Sequence, residues 1–409
     1  MIKTLNKISA FDTLETKNLE IELILCCART KLDECFTSNI KALLEKKLDW
    51  HYLLKVAAEQ GIVPLVYYNL NRTFPQQVPV EILTQLHQHF QANVQRNLLL
   101  TAELIKILKV LEDNKVEAIT FKGPTLAIKA YGQLALRQFC DLDVFIEEKN
   151  SLEVVNLLVS LGYQLPSPIA QLARHPYMTY QEFLESEETQ KKYELFHAQK
   201  NIVIDLQWSL TERRINRFFP VNFQHISSNS SSIYLGATEI KQFSSEDMLL
   251  YLCFHGSKHC WSELKWICDV AEFIQSNLEI DWQLISLRAK EWKVERMLSL
   301  GLCLVENILK IELSETIKQN IEIDEVVIAL ANKVKRGIFE CSLTEKEKID
   351  FRFKLRKQLS EQIFYFLDIL FTPTAKEWNF LPFTLPKSLS FLYRLVRPYR
   401  LAKESFLSK

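Results

Sequence analysis

Glycine is scarce in this chain, 8 of 409 residues, about 2% against a usual ~7%. With many Leu, Lys and Glu alongside, that scarcity argues for a mostly helical protein. Net charge is lacking too. The 50 Lys and Arg balance 50 Asp and Glu, so no global field draws nucleic acid. No uninterrupted apolar run approaches the ~18 residues of a membrane span; the nearest, Ile363 to Phe371, contains Asp368. Residues 1–18 hold no apolar signal core. Nine cysteines occur without one C-x-x-C pair, and their count is odd. They read as reduced thiols in a cytoplasmic protein. Neither internal repeats nor low-complexity segments are visible. The rest of the composition, 48% hydrophobic and 24% charged, is ordinary, and the length suggests two or three domains.

The most informative stretch runs from Phe121 to Ile146, FKGPTLAIKAYGQLALRQFCDLDVFI. Asp141 and Asp143 stand two apart within an apolar run, and on a strand residues i and i+2 share a face. Their Cα atoms would lie roughly 6.6 Å apart. Buried acids are costly unless paired or metal-bound. Two Mg²⁺ or Mn²⁺ ions about 3.5–4 Å apart serve in-line nucleotidyl transfer. Upstream, Lys122-Gly123-Pro124 closes a strand, Ala118 to Phe121, and opens a short helix with Pro124 at its first position. Gly123 lets the backbone approach a ligand, and free N–H groups at a helix start suit phosphate. Tyr131 ends that helix with Gly132 as its cap. Arg137 then lies between the turn and the acids, either as a second phosphate contact or in a structural salt bridge. Lys122 either meets phosphate or pairs with Asp141.

Strand, Gly-containing turn, short helix and Asp-x-Asp on the next strand resemble the polymerase-β-like nucleotidyltransferase superfamily. The wording is similar to a bacterial branch labelled uncharacterised nucleotidyltransferase. Like that branch, this chain has Lys122-Gly123 where better-known relatives have Gly-Ser or Gly-Gly. The resemblance implies a third acid on a neighbouring strand that helps activate the acceptor. Asp205, in IVIDLQW, fits that place. The branch follows with His where this chain has Gln207. A second block, His255-Gly-x-Lys258-His259 followed by Leu264-Lys265-Trp266 and Asp269, also reads as the branch does, as do Trp378, Leu385-Pro386 and Arg397-Pro398.

The expected fold is α+β: a small mixed β-sheet core of polymerase-β-like type at 116–245, between helical regions at 1–115 and 246–409. In the first region Trp50 to Ala58 repeats at helical spacing, Gly61 ends that segment and Pro64 opens the next. A long helix follows from Val80 to Asn114, which either packs along the sheet or forms a lid. Within the core, a helix at Ser151–Leu161 closes on Gly162. Residues 163–190 suit a substrate loop or a surface insertion. Lys192–Ala198 and Ile202–Trp208 form a hairpin around Gln199-Lys200-Asn201, and strands at Ser232–Leu235 and Glu239–Phe243 finish the sheet.

Beyond it, Ser244 and Asp247 resemble a capping box. One helix then places His255, Lys258, His259, Ser262, Lys265, Trp266 and Asp269 on one arc, provided Gly256 does not break it. Lys258 and Lys265 would neutralise triphosphate, with Asp269 steadying a lysine. His255 and His259 have the i, i+4 spacing of a zinc pair, but no third ligand is apparent, so hydrogen bonding to substrate is favoured. The basic tail carries Lys387, Arg394, Arg397, Arg400 and Lys403, and its Leu389, Leu392, Tyr393 and Leu395 are expected to pack on the body.

These residues point to a metal-dependent transferase. It would move a nucleoside monophosphate from an NTP, ATP foremost, to an unknown small-molecule, peptide or saccharide acceptor and release pyrophosphate. The alternatives are a non-catalytic nucleotide-binding scaffold and a protein adenylyltransferase of toxin type.

Overall fold

The computed structural model describes residues 18–165, 192–211, 221–372, 380, 389 and 392–407. The chain opens with α1 (Leu19–Cys27), α2 (Glu34–Leu44), α3 (Trp50–Glu59), α4 (Val63–Thr73) and the long α5 (Val80–Asp113). The core follows with β1 (Ala118–Thr120), α6 (Gly123–Tyr131), β2 (Asp141–Ile146), α7 (Ser151–Ser160), β3 (Lys192–His197), β4 (Ile202–Gln207), α8 (Phe223–Ser228), β5 (Ser231–Leu235) and β6 (Thr238–Gln242). Helices then return: α9 (Ser245–Lys258), α10 (Leu264–Ser276), α11 (Trp282–Glu291), α12 (Glu295–Ile308), α13 (Glu315–Asn320), α14 (Glu325–Phe339), α15 (Glu345–Lys354), α16 (Leu359–Phe371) and α17 (Tyr393–Leu407). Most of the 163–190 stretch lies outside the described residues, as does Lys387.

The described strands form one mixed sheet in the order β3-β4-β2-β1-β6-β5. β2 runs antiparallel to β1 and parallel to β4. Strand alternation divides the sheet into two faces. Leu142, Val144 and Ile146 of β2 and Ile202, Ile204 and Leu206 of β4 join one apolar cluster with Leu100, Leu104, Ile107 and Leu111 of α5. The intervening positions Asp141, Asp143, Asp205 and Gln207 therefore turn to the other face. There Phe121, Phe145 and Phe243 join the larger core built by the N- and C-terminal helices. Of the two roles open to the long helix, α5 takes the first. It packs along the sheet on the face away from the acids.

The polar arc beyond the sheet is not one helix. α9 stops at Lys258, Cys260 and Trp261 take φ of 55° and 52°, and α10 restarts at Leu264. Gly256 is no breaker; it sits inside α9 and makes room. A Cβ there would come within 2.5 Å of the Trp261 ring, and one at Gly301 of α12 would lie 2.6 Å from Cys253 Sγ and 3.3 Å from the same ring. Trp261 is fully buried, and its Nε1–H donates to Ser257 Oγ at 3.2 Å. Gln60 receives the new helix, its side chain and backbone oxygens accepting from Leu264 N and Lys265 N.

The capping box at Ser244 is half formed. Ser244 Oγ accepts from Asp247 N at 3.1 Å, but the Asp247 carboxylate goes to Arg288 Nη1 at 2.7 Å. In the tail Tyr393 is buried, whereas Leu389 and Leu395 are exposed, so only part of its apolar set packs inward.

Gly256→Ala should test the turn. The added methyl gains about 1 kcal/mol of helix propensity but forces a fully buried indole to move, at about 1–3 kcal/mol. A net loss of roughly 1 kcal/mol is expected in urea unfolding. An unchanged or raised midpoint would show that the Trp261 seat is not tight.

Candidate active site

The sheet register brings the acids together. Asp143 of β2 pairs directly with Asp205 of β4, and Asp141 lies two residues earlier on the same face. Above them a cavity of about 490 Å³ opens between the sheet and α9–α10. Asp141, Asp205, Lys122, Gly123 and Arg137 line its sheet side. His255, Lys258, His259, Lys265 and Trp266 line its helical side. The bend at Cys260–Trp261 wraps the polar arc around the cavity. Asp143 and Asp269 lie behind this lining.

Asp143 is almost wholly buried. Its Oδ1 accepts from Gln207 Nε2 at 2.8 Å and meets Lys122 Nζ at 3.0 Å, while its Oδ2 has no hydrogen-bond partner. Burial pushes its carboxyl up to about 6, with Asp141 and Asp205 adding to the shift and Lys122 opposing it. Burial alone would lower Lys122, but the Asp143 charge reverses this and holds its ammonium above the usual range. Both shifts are upward: the acids around Lys122 favour its charged form, whereas burial and two like charges against one adjacent cation disfavour the charged form of Asp143. At Asp143, burial outweighs the one cation in contact with it. Lys192 Nζ stands 2.6 Å from Asp205 Oδ2. Sequence reasoning missed Lys192, although counting back from the hairpin turn pairs it with Gln207, beside Asp205.

Gly123 has φ +55° and a built Cβ would meet Asp141 O at 3.5 Å, so conformation rather than space selects glycine. Lys122 caps α6 without a side-chain bond to the helix amides, and both residues line the cavity. Arg137 is committed: Nε and Nη2 donate to Asp269 at 2.7 and 2.9 Å, and Tyr131 OH donates to the same carboxylate at 2.7 Å. Its buried Nη1 has no partner. Asp269 thus steadies an arginine, not a lysine as expected. The loop that carries Arg137 is pinned from α5, where Asn97 Nδ2 donates to Leu134 O and Arg137 O at 2.6 and 2.8 Å. Lys265 pairs with Glu263.

His255 and His259 pack with ring centroids 4.8 Å apart, against Trp266 at 5.7 and 5.3 Å. Tyr251, unnoticed in the sequence, extends this wall at 5.9 Å from His255. Among the described residues no three His, Cys, Asp or Glu side chains are already gathered as a metal cluster, around these histidines or the acids. The carboxylates nevertheless fit a cation. Three stand on adjacent strands of one face, the innermost keeps an unpartnered oxygen, and lysines now sit against two of them.

Burial and Lys122 hold His255 well below its usual 6.5, and burial and Lys258 push His259 down to about 4. Between these values and 6.5 the unfolded chain binds protons that the folded chain does not, so stability falls as pH falls from about 6.5 toward 4. Asp143 works the other way, because its raised carboxyl takes a proton in the folded state between about 6 and 3.8. Within this site two histidines act against one acid, so the site's own contribution to the urea midpoint should fall on acidification. His255→Gln/His259→Gln should remove most of that slope; an unchanged slope would mean that the histidines are not its source.

Residues 46–310 match the family described as "Uncharacterised nucleotidyltransferase", and no curated protein matches the chain. The match covers well over half of the 409 residues, including the sheet, the acids, α9 and α10. The chain belongs to this family of uncharacterised nucleotidyltransferases.

Proposed function

We propose that the protein transfers a nucleoside monophosphate from an NTP, with ATP the first candidate, to an acceptor hydroxyl or phosphate and releases pyrophosphate. One observation carries the reading: three acids share a face beneath a cavity, and the innermost has a buried oxygen without a partner. Asp141 and Asp143 would hold two Mg²⁺ or Mn²⁺ ions, with Asp205 sharing one of them. The bound metal would supply neutralisation of triphosphate charge and polarisation of the reacting oxygens.

The protein's own groups do the remaining work. Lys122, whose Nζ rests 3.0 Å from Asp143 Oδ1 at the cavity wall, would offer its ammonium to phosphate. Gly123 N–H and the first amides of α6 receive phosphate oxygens. Arg137, held rigid by Asp269, offers Nη1 as a further donor. Lys258 and Lys265 add positive charge at the opposite wall. The neutral imidazoles of His255 and His259, with Trp266, give a base or sugar an aromatic surface and hydrogen-bonding nitrogens. Asp205 takes the proton from the acceptor hydroxyl. The cytoplasm is the expected setting, because the cysteines read as reduced; all nine are free.

The seating of Lys122 on Asp143 and of Lys192 on Asp205 supports a second reading, in which the acids are permanently neutralised and the chain binds nucleotide without transfer. Pyrophosphate release with each of the four NTPs and Mg²⁺ or Mn²⁺ separates the two. Transfer predicts metal-dependent release that falls at least about a hundredfold in Asp141→Ala and Asp143→Ala. Nucleotide binding with no release from wild type favours the scaffold. Release that survives in both variants would falsify the assignment of these acids.

A further inference from the structure

A second chamber of about 300 Å³ adjoins the first. The two share Phe254, Lys258 and His259, so the last turn of α9 is their common wall. The floor of the second chamber is apolar and aromatic, with Trp292, Met297, Phe364 and Tyr365. Its rim is cationic. Among the described residues, Lys258, Lys293, Arg352 and Arg356 line it beside two acids, Glu361 and Asp368. The Arg356 guanidinium carbon lies over the Tyr365 ring, 3.8 Å from its centroid, and Arg352 Nε donates to Lys258 O at 3.1 Å. Glu361 is 7% exposed, and its buried Oε1 lacks a hydrogen bond; Lys293 Nζ is 3.7 Å away. A buried carboxylate oxygen without a donor is costly, and a ligand hydroxyl would satisfy it. The far wall, from Arg352 to Asp368, comes from α15 and α16, beyond the family-matched span that ends at residue 310.

We infer that this chamber is the acceptor pocket, and that its occupant is a small hydroxylated organic anion with an aromatic or apolar body. The inference rests on the transferase reading above. The anion lies against Arg352 and Arg356, the body against Trp292 and Phe364, and a hydroxyl reaches past His259 toward Asp205. In transfer, that oxygen bonds to the α-phosphorus of the NTP. The bond from the α-phosphorus to the bridging oxygen breaks, and its electron pair leaves on pyrophosphate. The hydroxyl proton passes to Asp205. The size suits a metabolite-like molecule, since ligand pockets start near ~300 Å³.

The test uses the full chain with 4-hydroxybenzoate, phenyl phosphate and neutral 4-hydroxybenzyl alcohol as probes. Protein labelled with 5-fluorotryptophan reports binding, with the Trp292 resonance assigned from Trp292→Phe. At least one aromatic anion should shift that resonance and bind about tenfold more tightly than the alcohol. Preference between carboxylate and phosphate identifies the anion. Arg356→Ala should weaken the preferred anion by about tenfold. Should that variant fail to fold, the wild-type resonance and the anion-over-neutral preference decide alone. Equal binding of anion and alcohol, or no shift of Trp292 with any probe, would overturn the inference. Pyrophosphate release measured in parallel keeps the two readings apart. Release without probe binding sinks the acceptor pocket alone, whereas probe binding without release from any NTP sinks the transferase and leaves an anion site.

Discussion

The ion pair between Arg137 and Asp269 holds the site in one piece. Both side chains are buried, and the contact is bidentate. Arg137 sits between the short helix and the acidic strand, and Asp269 belongs to α10. Tyr131, the last residue of α6, donates to the same carboxylate. From the other side, Asn93 and Asn97 of α5 tie down carbonyls at 134, 135 and 137. A chain of direct bonds thus runs from the helix behind the sheet, through the arginine loop, to the helix across the cavity. Removing one partner of such a pair strands a buried charge, at about 3–5 kcal/mol. The larger effect is geometric, because the same contact sets the distance between the acids and the aromatic wall.

A second constraint is the burial of Asp143 beside two like charges. Folding buries this carboxylate beside two others and supplies only lysines to balance them. An uncompensated oxygen in low dielectric opposes folding. A site optimised for stability alone would replace Asp143 with an apolar residue to match Val144 and Phe145. Function at the expense of stability is the usual reason such a group persists. On the proposed reading, Lys122 and Lys192 serve as resting counter-ions, which lower the cost while no stronger cation is present.

Much of this was legible in the sequence because it depends on local periodicity. Alternation placed Asp141 and Asp143 on one face. The turn at Gln199 to Asn201 fixed the hairpin, and the hairpin put Asp205 on a strand next to the pair. Gly132 and Gly162 closed the helices they were expected to close. What escaped depends on tertiary packing. The left-handed backbone at Cys260 and Trp261 has no sequence signal, since neither residue favours φ > 0. Gly256 looked like a possible break because glycine ends helices, but its role is to leave space for an indole five residues on. Asp269 chose Arg137, 132 positions away, over lysines close by in sequence. Periodicity carries no information about that choice.

The division of labour follows from where each part of the site lies. On the proposed reading, acids, glycine turn and lysines recognise what every NTP shares, a triphosphate and its cations. The wall of His255, His259 and Trp266 offers ring faces, and stacking is tolerant of base identity. Neutral imidazoles add no charge to compete with Lys122 for phosphate. On that reading, selectivity would come from the walls farther out, built by the turn after α11 and by α12, α15 and α16 around Trp292 and Arg356. Part of those walls lies past the family-matched span. Members that share the sheet and α9 but differ in the helices after residue 310 would therefore be expected to share the chemistry and to differ in what they modify.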